Sequence, residues 1–393
     1  MDRIATRGIA ICEIMSEPRI IVAGQIPPPM GGQNAMILEL LEDLKGLSGV
    51  RSGHLKFEFT KNTRSARKGG LGKLLELTKV ISRLVKLRLE GSIDLLVYPP
   101  GGPQTVPLLR DILLLPWVLL ASRRVVLHFH AAGISDALEK GGIVAKAAAW
   151  LYGRCQDAVV MTEFNRRDPS ICGITDIHVI PHQMKDSFAQ GDVARTEDSE
   201  IRILAMGHLC EDKGTQRLIA AAGVLKDEFP DMVLELAGEP LAPYTAEQLH
   251  EDISAAGIQG RVRELGVLQG NSKHLAFGRA HIFIFPSTAP YESFGLVMVE
   301  AMLWGLPIIA SDWRGNADVL MAGKGTHLYS PAGSASALAD SLRSLLAVRK
   351  EWPGLGADNR ELFLSKYKIV DPADKPLPRL LLQLASTDPI PCP

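Results

Sequence analysis

Short apolar runs of strand length alternate with longer amphipathic stretches along nearly the whole chain. In the first half the runs predict strands at Arg19–Gly24, Ile93–Tyr98, Val125–Phe129, Ala158–Met161 and His178–Ile180. The second half repeats the style at Arg202–Met206, Val233–Ala237, Arg263–Val267, Ile282–Phe285 and Leu306–Ala310. Strands alternating with helices are the mark of an α/β chain with doubly wound parallel sheets. A break near Pro181–Glu200 divides the pattern into two Rossmann-like domains facing a cleft. Residues 1–17 read as a poorly ordered extension, 18–183 as the N-terminal domain and 184–365 as the C-terminal domain. Residues 366–393 read as a segment that crosses back to the N-terminal domain and ends in a disordered Pro-Ile-Pro-Cys-Pro tail. In this architecture ligands lie between the domains, at the carboxyl ends of the strands.

Two stretches stand apart from the alternation. Residues 61–90 carry nine Lys/Arg (Lys61, Arg64, Arg67, Lys68, Lys73, Lys79, Arg83, Lys86, Arg88) against Glu76 and Glu90, with Leu71, Leu74, Leu75, Ile81, Leu84 and Val85 at helical spacing. This is either a helix with a solvated basic face or a patch for an anionic membrane surface; a phosphorylated soluble acceptor is a third use. Ile112–Ala121 is the longest apolar run, at ten residues. It is too short to cross a bilayer, which needs ~20 residues, so it predicts a buried helix.

The 393 residues are 46% hydrophobic and 22% charged, an ordinary globular composition with room for two domains. Net charge is −1, which argues against nucleic acid as a partner. That balance conceals an asymmetry: residues 18–183 hold 21 Lys+Arg against 14 Asp+Glu, and residues 184–393 hold 20 against 27. Five scattered cysteines, with no Cys-x-x-Cys pair, suggest neither a zinc site nor a disulfide framework and fit a reducing cytoplasm. Residues 1–17 contain no apolar core of signal-peptide length, and Met15 reads as an alternative start.

The candidate chemistry concentrates in residues 286–320. Glu292 and Glu300, with seven residues between them, flank Phe294-Gly295. Leu296–Trp304 is apolar on every side apart from Glu300, the pattern of a buried helix, and a carboxylate inside one is costly unless hydrogen-bonded. If the helix starts near Gly295, Glu300 lies roughly 7.5 Å further along it. One acid at the helix mouth, one inside, and free backbone N–H groups between them suit a ligand with hydroxyls at both ends and negative charge in the middle. A nucleotide-sugar is such a ligand.

Other motifs follow strands. Gly24-Gln-Ile-Pro-Pro-Pro-Met-Gly31-Gly32 ends in a glycine pair at a helix start, either a phosphate approach or a plain tight turn. Without Gly-x-Gly-x-x-Gly, a nicotinamide cofactor is not indicated. His128-Phe-His130 follows the third strand, and Gly207-His208…Lys213-Gly214 opens the second half. Lys213 is a cation at a helix start, a misfit with the helix dipole that favours a phosphate partner.

Glu292-Ser-Phe-Gly295, Glu300-Ala-Met302, Gly305-Leu-Pro307 and the strand Ile308–Ser311 resemble the signature of the GT-B glycosyltransferases of family 4, the retaining group 1 class with a Glu-x7-Glu motif. The match is strong over 200–320 and loose over 19–180. The resemblance implies a transferase acting on an NDP-sugar, with no further cofactor. Glu292 would contact the donor sugar, Glu300 the ribose hydroxyls, and the amides of Gly295 and Leu296, next to Phe294, the diphosphate. By the same resemblance His130 contacts the sugar, with His128 as its neighbour. Gly31 and Gly32 form the N-domain glycine loop, and Leu268 packs on the nucleobase. The family pairs an arginine with the lysine of Lys213-Gly214; here His208 stands in its place. Asn316 to Asp318 replace a glycine-rich turn ending in Glu.

No Asp-x-Asp occurs in the chain, so the metal-carrying GT-A solution is not available. Lys213, His208 and the 295–296 amides are then the groups to neutralise a departing diphosphate. The resemblance implies front-face transfer with retention, in which the phosphate takes the acceptor's proton and Glu292 positions the sugar. Acceptors would be a growing glycan or lipid-linked saccharide, as in polysaccharide biosynthesis, met in the cytoplasm or at the inner membrane face. Two rivals stay open: a nucleotide-sugar epimerase, and a weakly active protein that binds nucleotide-sugars or a partner.

Overall fold

The computed structural model describes residues 17–28, 31–59, 71–187, 200–321, 323–329, 335–371 and 374–387. Its N-terminal domain contains β1 (Arg19–Gly24), α1 (Gly32–Gly46), β2 (Arg51–Lys56), α2 (Leu71–Leu89), β3 (Ile93–Tyr98), α3 (Thr105–Ala121) and β4 (Ser122–His128). The short α4 (Ile134–Glu139) and α5 (Ile143–Tyr152) lead to β5 (Asp157–Val160), α6 (Arg167–Ile171) and β6 (Asp176–Val179). The C-terminal domain runs β7 (Ile201–Met206), α7 (Thr215–Leu225), β8 (Met232–Ala237), α8 (Ala246–Ala256), β9 (Val262–Gly266), α9 (Gly270–Arg279) and β10 (Ile282–Phe285). It continues with α10 (Leu296–Leu303), β11 (Ile308–Ser311), α11 (Asn316–Leu320), β12 (Thr326–Tyr329), α12 (Ala335–Ala347) and α13 (Trp352–Leu362), after which α14 (Pro376–Ser386) lies on the N-terminal domain.

Both sheets are six-stranded and every named pair is parallel. The orders are β2-β1-β3-β4-β5-β6 and β12-β11-β10-β7-β8-β9. Strand order reverses at β1/β3 in the first and at β7/β10 in the second. Loops leaving such switch strands diverge to opposite faces and open a crevice. The motif loops 24–32, 207–214 and 286–295 follow β1, β7 and β10. The fold thus explains why the chemistry-bearing residues follow these strands.

Central strands are read well from sequence because both faces are covered; Ile282–Phe285 is buried throughout. Sequence reading misses β2 and β12. Both are sheet-edge strands with mixed exposure, Arg-Ser-Gly-His-Leu-Lys and Thr-His-Leu-Tyr, and neither offers an apolar run. β4 begins at Ser122, three residues early, because Arg124 is drawn inward: it is 8% exposed and forks onto Asp157 at 2.7 and 3.1 Å.

One helix expectation needs correction, and on a second helix the structure sorts the apolar positions by face. The 112–121 run is helical but buried on one side only: Leu114, Leu115 and Val118 face the core, whereas Leu113, Trp117 and Leu120 of α3 are 51%, 48% and 81% exposed. On α2 the face turned to the core carries Leu77, Val80 and Leu84, whereas Leu74, Leu75 and Val85 point outward. Lys61, Arg64, Arg67 and Lys68, and the 388–393 tail, lie outside the described residues.

After α13 the chain returns to the first sheet. Leu381 and Leu384 of α14 pack with Ile20, Val22, Leu95 and Val97. Met184 and Ile369 are hydrogen-bonded where the two crossing segments run side by side. Arg124 also donates to the Leu384 carbonyl at 3.3 Å and to Thr387 Oγ1 at 3.0 Å. Arg124→Met would leave the buried Asp157 without its forked partner and unpin α14. A loss of about 3 kcal/mol in urea unfolding is expected, with hydrogen exchange rising first in residues 376–386; unchanged exchange there would show that α14 is held by its leucines alone.

Candidate active site

The strand β10 ends at Pro286, and the chain turns through Pro290 to Gly295 before α10. Gly295 caps that helix in the left-handed region, φ 62°, with no side-chain cap. A Cβ there would stand 2.7 Å from Met298 Cε and 3.1 Å from Phe285, so glycine is required twice over. The helix mouth is consequently bare backbone with partial positive charge. Across the cleft, α1 begins at Gly32, where a Cβ would lie 3.4 Å from Leu296 Cδ1. Two helix N-termini thus approach each other with glycine between them.

Glu292 lies at this mouth, 8% exposed. Its Oε2 accepts from Lys213 Nζ at 2.6 Å and from Ser287 Oγ at 2.6 Å. Lys213 comes from the turn after β7. Gly214, φ 75°, is the cap of α7, and a Cβ on it would strike the Pro286 carbonyl at 2.3 Å. The two loops therefore touch backbone to backbone and deliver acid and base together. Burial pulls the Lys213 ammonium toward losing its proton, but the Glu292 charge and hydrogen bond outweigh it and raise the pKa. The lysine stays cationic.

Glu300, just over one turn inside α10, is bound at Oε1 by Lys273 Nζ of α9. Its Oε2 is buried with no hydrogen-bond partner among the described residues. A carboxylate oxygen so placed is costly unless a donor reaches it, and it is suited to a donating hydroxyl. The wall beside it is Leu268, His274 and Trp304, the two rings 5.9 Å apart.

From the N-terminal domain, β4 delivers His128 and His130, ring centroids 4.1 Å apart. Neither nitrogen of His130 has a partner among the described residues. Burial, then the nearby His128 and His182, hold its pKa well below the ordinary imidazole value, so it is neutral. The His130 carbonyl accepts from Ser293 Oγ at 2.7 Å, tying this strand end to the Glu292 loop.

Of the residues named from sequence, Gly31, Gly32, His130, His208, Lys213, Leu268, Glu292, Phe294, Gly295, Leu296 and Glu300 line one cleft of about 830 Å³, whereas His128 does not. Sequence reasoning missed Lys273 and Ser287. Lys273 sits in the first turn of α9, and the helix-dipole misfit that marked Lys213 marks it too. Ser287 carried no signal. The 316–318 turn, in contrast, does not line the cleft. Asn316 is fully buried and donates to Ser311, and Asp318 accepts from the Phe164 N–H at 2.7 Å, joining the domains.

Comparison with known proteins agrees with this geometry. Residues 189–353 match the model of the family "Glycosyl transferases group 1". The chain is 34% identical over 160 residues to the phosphatidyl-myo-inositol mannosyltransferase of Mycobacterium leprae, covering 40% of this chain and 41% of that one. It is 28% identical over 165 residues to the 2-deoxystreptamine N-acetyl-D-glucosaminyltransferase of Niallia circulans, at 42% and 41% coverage. The aligned region thus spans about two fifths of these curated relatives. Among solved structures, the sucrose-phosphate synthase of Thermosynechococcus elongatus superposes with TM-score 0.73 at 19% identity, covering 93% of this chain and 99% of that one. Anabaena Alr3699/HepE, crystallised with UDP-glucose, gives 0.69 at 18%, with 92% and 99% covered. Residues 189–353 are thus similar to the group 1 glycosyl transferases, and the chain as a whole has the GT-B fold.

Burial holds His128 at a pKa of about 4, below the 6.5 of a free imidazole, with His182 adding to the depression. The unfolded chain takes up a proton between these values and the folded chain does not. The stability from keeping His128 neutral is therefore complete above about pH 6.5 and falls as pH drops toward 4, by about 1.4 kcal/mol per unit. Urea unfolding at pH 7 and pH 5 should show a gap that shrinks by about 2 kcal/mol in His128→Asn; an equal gap in both proteins would refute the assignment.

Proposed function

We propose that this chain is a group 1 glycosyl transferase that binds a nucleoside-diphosphate sugar in the cleft and transfers its hexosyl group, with retention and without a metal ion, to a glycan or lipid-linked saccharide. The observation that carries the reading is the pair of helix N-termini facing each other beside two carboxylates, each already held by a lysine. A diphosphate between Gly32 and Gly295 would meet backbone amides from both sides and draw on Lys213. The ribose hydroxyls would donate to the unsatisfied Glu300 oxygen, and the base would lie along Leu268. Hexosyl- and hexosaminyltransferases among the relatives, and UDP-glucose in Alr3699/HepE, support the substrate class.

In transfer the glycosidic C1–O bond of the donor breaks toward the diphosphate, whose growing charge Lys213 and the 295–296 amides stabilise. Lys213 is shared between Glu292 and the phosphate, so Glu292 is left to orient the sugar and to stabilise positive charge on its ring. His130, neutral and with both ring nitrogens unpartnered, offers hydrogen bonds to sugar hydroxyls without adding charge. The leaving phosphate takes the acceptor's proton as the acceptor oxygen bonds to the same face of C1.

A second reading, a nucleotide-sugar-binding protein of low turnover, is favoured by one observation. His208 lines the cleft where the resembled family has arginine, and an imidazole is only partly charged near neutrality while a guanidinium always is. The two readings part in a direct test.

Thermal-shift titration against UDP-, GDP-, ADP- and dTDP-sugars, with and without EDTA, should show stabilisation by one nucleotide class, indifferent to EDTA and lost in Glu300→Ala. No stabilisation by any of them sinks the transferase reading. With a donor identified, Lys213→Met should lower kcat/KM about 10²–10³-fold. Binding without transfer or donor hydrolysis in the wild type would establish the second reading instead.

A further inference from the structure

The outward face of α3 is the most anomalous surface among the described residues. Val106, Leu109, Leu113, Trp117 and Leu120 follow one another at steps of three and four and are 37%, 43%, 51%, 48% and 81% exposed. At 1.5 Å per residue they form a single stripe about 21 Å long. The opposite side, with Leu108, Leu115 and Val118, is buried against the sheet. A helix at a soluble surface turns a polar face outward; this one is apolar on both sides.

Its neighbours extend the patch. α2 and α5 both pack on α3. α2 exposes Leu75 at 61%, Val85 at 47% and Leu89 at 83%. α5 exposes Ile143 at 85% and Trp150 at 61%, with the Arg154 guanidinium 4.1 Å over the Trp150 ring. A contiguous apolar surface of this kind marks an interaction site.

The charge pattern says what covers it. The only carboxylates in the three helices are Glu76 and Asp111, 5% and 0% exposed, and both are paired with arginines. Lys79, Lys86, Arg88 and Lys146 are all exposed around the patch. A second copy of the chain meeting this face through a two-fold axis would bring like charges together. A layer that is apolar within and anionic at its rim satisfies both features, with indole rings at the boundary.

We propose that the outer face of α2, α3 and α5 docks on an anionic lipid bilayer. The surface begins beside the catalytic cleft: a Cβ on Gly133 would touch both Pro103, just before α3, and the carbonyl of Pro290 in the Glu292 loop. A membrane on this face would hold the cleft mouth near the headgroups. Docking needs neither donor nor turnover, so it stands apart from the catalytic reading and can fail without it.

The test uses the full chain with phosphatidylcholine vesicles, with and without phosphatidylglycerol. Wild type should sediment with the phosphatidylglycerol vesicles, less so as salt is added, and its tryptophan emission should shift to the blue. Trp117→Glu/Leu120→Glu should weaken binding about tenfold or more, while Val224→Glu, on the exposed face of α7, should not. Thermal unfolding and circular dichroism check that the variants fold, and Leu120→Ser is the milder substitute if the double variant does not. Indifference of the wild type to anionic vesicles, or full binding by the double variant, would overturn the proposal. So would a wild-type dimer in size-exclusion chromatography that the double variant breaks, which would assign the face to a second copy.

Discussion

The ion pair between Lys213 and Glu292 is the constraint on which the cleft depends. It joins the loops leaving β7 and β10, the two strands at the reversal of the second sheet. A buried carboxylate and a buried ammonium are each expensive alone, and neither loop can withdraw without stranding the charge on the other. The approach that lets them meet is enforced by backbone. Gly214 abuts the Pro286 carbonyl, and Gly295 abuts Phe285. Two left-handed glycines and one salt bridge thus set the mouth of α10 before any ligand arrives.

The N-terminal domain completes the same loop. Ser293 donates to the His130 carbonyl, Asn165 donates to the Ser293 carbonyl at 2.8 Å, and the Ala132 N–H reaches Tyr291. Arg314, itself at positive φ, pairs with Asp136 and stacks over Trp313. Residues 291–293 are therefore held from both sides of the cleft. The donor loop and the sugar-facing histidine share hydrogen bonds, so a change in domain angle would alter both together. Asp318 belongs to this arrangement: shorter than the glutamate of the resembled pattern, it serves the Phe164 amide at the domain junction.

Legibility in the sequence followed burial. β1, β3 and β10 carry their apolar character on both faces, and their ends fall where the alternation places them. The edge strands β2 and β12 have no such cover and read as loop. Residues of the site were legible where backbone chemistry forced the residue type: glycine where φ is positive, lysine against the helix dipole, a carboxylate in an apolar helix. Lys273 meets the second criterion, but no neighbouring motif distinguishes it from a solvated lysine. Ser287, a serine after a strand, is indistinguishable in sequence from any turn residue.

The same logic accounts for the opposite error on α3. An apolar run reads as a buried helix because burial is the usual reason for apolarity, and periodicity cannot report what lies on the far side of a helix. The structure supplies that side. Five large apolar residues of α3 meet solvent, and the only acids of the three packed helices are turned inward. The excess of positive charge in residues 18–183, which a compact α/β domain does not require, falls partly around this face. Two departures from soluble-domain composition, exposed leucine and unbalanced lysine, therefore coincide on one surface at the edge of the cleft. One physical cause acting there, an apolar phase with anionic boundaries, accounts for both where separate explanations would otherwise be needed.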